Sequence, residues 1–336
     1  GFLKFPSTGT IPESAYSQIL GLTRDTSTNR LITRLDNRTV NPYTIQGNLG
    51  IEQAFGRDWS VTINYMINHG LKLLRSRQVN VIPNPAVLDA LGRPSLTGRV
   101  DPTRLADFAL ESAGNSIYHG VSASVTKRFS RYTQLIASYN YGKTIDDATD
   151  VVFEQGPQDP TNTRLDRALS SYDLRHRLSV AALFDSPFRG GKWHQRLLAD
   201  FYLSPIVNIR SGFPFDIRTG IDVNMDTNPN DRPLGVGRNV GLGPGFFTMD
   251  MRLGRRFIFD ADNQRSVEVI FDAFNIFNRV NFREVNGNTQ GILDLSTMGI
   301  TDVRLIGLVD KPSSGLCGYI SAYEPRIIQL GLKLNF

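Results

Sequence analysis

Arg326-Ile327-Ile328-Gln329-Leu330-Gly331-Leu332-Lys333-Leu334-Asn335-Phe336 is the last stretch of the chain, and the fold turns on how it is read. Ile328, Leu330, Leu332, Leu334 and Phe336 occupy alternate positions, with Gln329, Gly331, Lys333 and Asn335 between them. A period of two puts the apolar set on one face of a strand and the polar set on the other. The strand runs to an aromatic final residue, where chain ends usually fray. Two readings accommodate it. One is a buried terminal strand of a soluble sheet; the other is the closing strand of a sheet whose apolar face meets lipid.

The same alternation recurs upstream. Tyr43, Ile45, Leu49, Ile51 and Phe55 share a face, Gly56-Arg57-Asp58 turns the chain, and Trp59, Val61, Ile63, Tyr65 and Ile67 return. A second hairpin carries Ile117 to Phe129 and Thr133 to Tyr141 about Ser130-Arg131. A third carries Leu174 to Phe184 and Leu197 to Ile209, and a fourth Phe247 to Phe259 and Val267 to Ala273. With the terminal strand this makes about nine strands of roughly 11–16 residues, against ~5–6 in soluble sheets. The connections are roughly 3, 44, 2, 30, 9, 34, 7 and 43 residues long, short and long in strict turn, as in membrane barrels with short periplasmic turns and long outer loops. Structureless loops of that length argue against a compact soluble domain.

The fold class expected is therefore all-β: an antiparallel transmembrane β-barrel, integral to the outer membrane of a Gram-negative cell. Phe336 would end on the periplasmic side, so 72–115, 143–172, 212–245 and 279–321 would face outward. Residues 1–42 lack periodicity and read as an irregular loop or the end of a preceding strand; 43–336 read as barrel. Bacterial single-chain barrels use an even strand number. Nine strands therefore mean either a further strand within 1–42 or, the favoured reading, the C-terminal part of a larger barrel; no signal peptide is visible in this chain.

Composition agrees. The chain has 336 residues, is 40% hydrophobic and contains 20 Phe and 11 Tyr against 5 Met, a balance suited to strands and interfacial girdles. No apolar run approaches the ~18 residues of a membrane helix. The 37 basic and 32 acidic residues are interspersed, without the basic block expected of a nucleic-acid binder. The single cysteine, Cys317, excludes an internal disulfide and reads as a loop thiol. No Ser/His or Asp/His set converges visibly, so no catalytic residue and no enzyme is expected, and His69, His119, His176 and His194 show no ligand spacing.

The face opposite the apolar one is charged. Asp173, Arg175 and Arg177 share a face, as do Asp250, Arg252 and Arg256, and then Glu268 and Asp272. A charge facing lipid at mid-bilayer costs ~2–4 kcal/mol, so these residues should face a wet or plugged lumen. Lys127 and Arg255 fall on the apolar face near the short turns, where long side chains can snorkel.

Several stretches carry a family resemblance. They are Asn41-Pro42-Tyr43-Thr44-Ile45-Gln46, Tyr141-Gly142-Lys143-Thr144-Ile145-Asp146-Asp147, Ser171-Tyr172-Asp173-Leu174-Arg175-His176-Arg177, Arg210-Ser211-Gly212-Phe213-Pro214-Phe215, Asn230-Asp231-Arg232-Pro233 and Phe274-Asn275-Ile276-Phe277-Asn278. In order and spacing they resemble the C-terminal half of Oar-like TonB-dependent transporters, whose N-terminal region carries a carboxypeptidase-regulatory domain. The resemblance implies a barrel of about 22 strands closed by a plug, with these as the last nine. It implies ligand uptake driven by the TonB complex through the plug, and the missing N-terminal strands and plug as partners. Leu330, Leu332, Leu334 and Phe336 resemble the C-terminal signal read by the barrel assembly machinery. A passive porin-like channel or a structural surface protein with the same strands is the alternative.

One loop offers a cofactor. Asp222, Asn224, Asp226 and Asn228 put oxygen ligands at every second residue, as the start of a calcium loop does, and Asp231 could supply a later one. Thr227 stands where such loops carry Gly, and Pro233 where they carry Glu. A solvated loop of Asx-turns is the competing reading.

Overall fold

The computed structural model describes residues 30–149, 156–188, 192–259, 265–298 and 318–336. Cys317, residues 1–29 and parts of the turns at 186–191 and 260–266 lie outside them. The strands in chain order are β1 (Arg30–Leu35), β2 (Tyr43–Phe55), β3 (Trp59–Gln78), β4 (Val81–Leu88), β5 (Pro94–Arg99), β6 (Arg104–Ser130), β7 (Thr133–Asp146), β8 (Ala168–Leu169) and β9 (His176–Asp185). There follow β10 (Phe201–Arg210), β11 (Pro214–Phe215), β12 (Gly241–Leu242), β13 (Phe246–Ile258), β14 (Ser266–Phe274), β15 (Phe282–Asn286), β16 (Gly318–Ala322) and β17 (Ile327–Asn335).

Nine of these form one antiparallel path, β17-β14-β13-β10-β9-β7-β6-β3-β2, in which every neighbour is also the next long strand in sequence. It is the expected meander. Among the described residues the sheet is open, with β2 and β17 at its edges. The pairing of β14 with β17 is unbroken from Ser266↔Asn335 to Phe274↔Ile327.

Register aligns the alternation of separate strands into continuous rows. Phe184, Leu203, Leu253, Phe271 and Leu330 form one row across five strands. On β17, Leu330 is 81% and Leu332 66% exposed, and Ile45, Leu49, Ile51, Phe55 and Ile63 are exposed on β2 and β3. An apolar band of that extent would be unstable in water and is stable against hydrocarbon. Trp59 and Phe55 pair at its short-turn end, while Tyr65, Val121, Tyr141 and His176 form a row toward the other. There Tyr65 meets His119 and Tyr139 meets His176, each hydroxyl 2.8 Å from Nδ1. These pairs place an amphipathic girdle where the apolar band ends.

The two basic residues on the apolar face turn toward the short-turn end. Lys127 Nζ donates to the carbonyls of Ser130 and Thr133 at 2.9 and 2.8 Å. Arg255 donates to the Arg196 carbonyl at 2.9 Å and lies over the rings of Phe201 and Phe257.

The long segments hold more structure than their sequence suggests. The expected loop 72–115 is a correction: β3 continues to Gln78, β6 begins at Arg104, and β4 and β5 make a hairpin between them. About 9–11 residues cross a bilayer, so the 27-residue β6 stands well clear of it. Its upper edge, beyond the reach of β7, is taken by β1 in parallel pairing, with Leu31 opposite Ala106 and Leu35 opposite Leu110. Leu197, expected on a strand, lies in a short helix, Trp193–Leu198, and β10 starts only at Phe201. The helix start is closed by the Lys192 amide donating to Gln195 Oε1 at 3.0 Å, and Asp200 at φ 60° ends the excursion. Leu174, Asp173 and Arg175 precede β9 rather than lying in it. Short pairs β11–β12 and β15–β16 occupy the other long segments.

Candidate functional site

The charged residues of β13, β14 and β17 sit opposite one another. Arg252 faces Asp272, with Nε 2.7 Å from Oδ1 and a terminal guanidinium nitrogen 2.9 Å from Oδ2. Such a fork is the strongest geometry for this pair. Glu268 lies between Arg256 on one side and Lys333 on the other. Asp272 also faces Gln329, and Asp250 accepts the Asn275 amide at 2.8 Å. The face opposite the apolar band is not charged throughout, because Ile136, Ala181 and Ile206 fall in a single row of it.

The other group divides. Asp173 is buried; it accepts the Thr144 amide at 2.6 Å and pairs with Arg175 at 2.9 Å. Arg177 stands on β9 opposite Arg210. Repulsion between them is eased because Arg210 is held among Phe213, Phe246 and Tyr323, whose hydroxyl lies 2.7 Å from it.

Above the sheet, the long segments converge on the loop between β11 and β12. Asn224, Asp226, Asn228, Asn230 and Asp231 are all buried. The Asp226 amide is 3.0 Å from both Asp222 Oδ1 and Asn224 Oδ1, and the Thr227 amide is 2.7 Å from Asp222 Oδ2. Asp231 Oδ2 accepts the amides of Val223 and Asn224. Burial pushes the Asp226 carboxyl up to about 8; the Asn228 amide opposes this, while Asp222, Asp231 and Asp159 add to it by repulsion. Burial likewise pushes Asp231 up to about 6, against the Asn224 and Val223 amides. Among the described residues, no three His, Cys, Asp or Glu side chains alone are grouped so as to hold a metal ion.

The loop is tied to distant parts of the chain. Gln78, at the end of β3, donates to the Asp226 carbonyl and the Thr227 hydroxyl, and the Leu96 amide of β5 donates to the Asn224 carbonyl at 2.7 Å. Asn224 donates to the Gln158 carbonyl at 2.7 Å, and Asn230 to that of Gly156 at 3.0 Å. Two buried ion pairs that sequence reading missed complete the cluster. Arg232 pairs with Asp166, and Arg238 with Asp146 at 2.7 Å. Arg232 and Asp146 each lay inside a quoted motif, but spacing alone could not reveal their partners.

The family description "Outer membrane beta barrel domain" matches residues 4–237. Comparison with curated proteins gives no match. Among solved structures, the outer membrane transporter YddB from Escherichia coli aligns with a TM-score of 0.52 at 13% identity, over 93% of this chain and 34% of that one. The FrpB iron transporter from Neisseria meningitidis aligns at 0.47 and 9% identity, over 90% and 33%. The ferripyoverdine receptor of Pseudomonas aeruginosa aligns at 0.44 and 11% identity, over 88% and 27%. At 13% identity the likeness to YddB concerns the fold alone. The chain spans between about a quarter and a third of the length of these structures.

Proposed function

The chain belongs to the outer membrane beta-barrel domain family, and on that premise we propose that it forms part of a TonB-dependent transporter or receptor taking up an unidentified ligand. It is an integral outer-membrane protein. The observation that carries the uptake reading is the paired inner face: Arg252 with Asp272, and Glu268 between Arg256 and Lys333. A pore selecting ions by charge gains from one sign of charge at its wall. A wall on which opposite charges stand side by side, one pair of them joined by two hydrogen bonds, instead suits a packed polar body, as a plug would be. The Oar-like stretches support the same reading, with 43–336 as the C-terminal part of the barrel and the remaining strands and plug supplied from elsewhere in the protein.

In this reading the outer loops capture the ligand and the plug rearranges under pull from TonB. No side chain is assigned to catalysis. The test is conductance of the natural full-length protein in a planar lipid bilayer, with capture of TonB by the same preparation. A closed barrel that retains TonB is expected. A steadily open channel that does not retain TonB would overturn the proposal in favour of a passive porin.

A further inference from the structure

The loop from Asp222 to Asp231 presents oxygen-bearing side chains at alternate positions, turned inward, while Met225 and Pro229 between them are exposed. Its backbone passes through the left-handed region at Met225 (φ 62°) and Thr227 (φ 81°). Thr227 therefore adopts the left-handed φ that glycine takes most readily, at the position where calcium loops place one. Asp222 Oδ1 and Asn224 Oδ1 share a single amide donor, so these two oxygens lie side by side.

The observation that points to a ligand concerns Asp226. Its side chain is 1% exposed; Oδ1 accepts the Asn228 amide, and Oδ2 has no hydrogen-bond partner. An orphaned carboxylate oxygen in a dry site, with two more carboxylates in the same loop, is costly unless a proton or a cation neutralises it, and the cation can take the place of the proton. The adjacent Arg232 does not do so, because it is engaged by Asp166 and faces Asp216.

We propose that Asp222, Asn224, Asp226 and Asp231 form a calcium-binding site. The donors are all oxygen, which selects a hard cation. The carboxylates do not suffice as a set, so amide and backbone carbonyl oxygens make up the shell. Calcium accepts that mixture at six to eight ligands, whereas magnesium requires a near-ideal octahedron. Because the loop is bonded to Gln78, Leu96 and Gln158, a bound ion would fasten β3, β5 and the 156–158 segment together.

Titration calorimetry of the chelator-treated natural full-length protein in detergent micelles, with calcium chloride and then magnesium chloride, tests this. One saturable calcium per chain is expected, with a dissociation constant of at most about 1 mM, in the range of extracellular modules. Asp226→Asn should weaken it at least about tenfold, while the exposed Asp294→Asn leaves it unchanged. Thr227→Gly, which relieves the left-handed strain, should bind at least as tightly, and it keeps the test decisive if Asp226→Asn does not fold. Absence of saturable calcium binding up to about 10 mM in the unmodified chain, equal saturation by magnesium, or equal affinity in Asp226→Asn and Asp294→Asn would each overturn the site. The result is independent of uptake.

Discussion

Arg252 and Asp272 face each other across β13 and β14 and are joined by two hydrogen bonds of 2.7 and 2.9 Å. Arg252 is half exposed, so the attraction is screened and contributes at most about 1 kcal/mol. Its larger effect is on pairing, because a like charge at the same position would repel. Arg252→Asp should lower the denaturant midpoint of the folded barrel in detergent, and the exchange Arg252→Asp with Asp272→Arg should restore most of the loss. A double variant no better than the single one would remove the pairing argument.

The two faces of β17 should respond oppositely to the same substitution. Leu332→Arg places a cation in the exposed apolar band and should cost ~2–4 kcal/mol if the position lies near mid-bilayer. Gln329→Arg adds the cation opposite Asp272 and should be near neutral. Unfolding in lipid vesicles measures both. Equal costs would mean that β17 does not separate lipid from lumen.

These strands were legible in sequence because each face meets a different medium, and only that contrast writes a period of two. The contrast fades above the bilayer. Arg75, Ser76, Gln78 and Asn80, at the end of β3 and just beyond, are buried although polar, so no alternation marked the strand's extension past residue 72. Leu197 fell on the right parity by coincidence and belongs to a helix. The spacing of Asp222, Asn224, Asp226 and Asn228 could be read locally. Their attachment to Gln78, some 150 residues away, could not.

In the cation-free chain, the loop at 222–231 should be firmest at mildly acid pH. Burial raises Asp226 to about 8 and Asp231 to about 6, so the folded loop binds more protons than the unfolded chain between their ordinary values and these. Stability then falls as pH rises through that window, the reverse of a paired carboxylate. Amide exchange at 222–231, measured in chelator at pH 5.5 and 8, should show greater intrinsic-rate-corrected protection at the lower pH. Asp226→Asn should shrink the difference to the part that Asp231 contributes. Higher protection at pH 8 in the unmodified loop would contradict the assignment.

Removing Phe336 should impair assembly of the full-length protein into the outer membrane while leaving its synthesis intact. The residue is 96% exposed and lies just past β17, so its loss disturbs no described packing. Surface protease accessibility, compared with total protein, separates assembly from expression. Normal surface levels would count against a recognition role for Leu330, Leu332, Leu334 and Phe336.

The parallel pairing of β1 with β6 has a mechanical consequence. β1 runs in the same direction as β6 and lies on the side of it away from β3, yet the chain then crosses to β2 on the far side of β3. Residues 36–42 stride over both strands, and Val40 is clamped by the Ser112 hydroxyl through its amide at 2.9 Å and its carbonyl at 2.7 Å. Tension applied upstream of Arg30 along the β1 axis would load the β1–β6 hydrogen bonds together, in shear. They could not be peeled one by one. The segment is thus a strap, able to pass a pull into the sheet without opening its first hairpin.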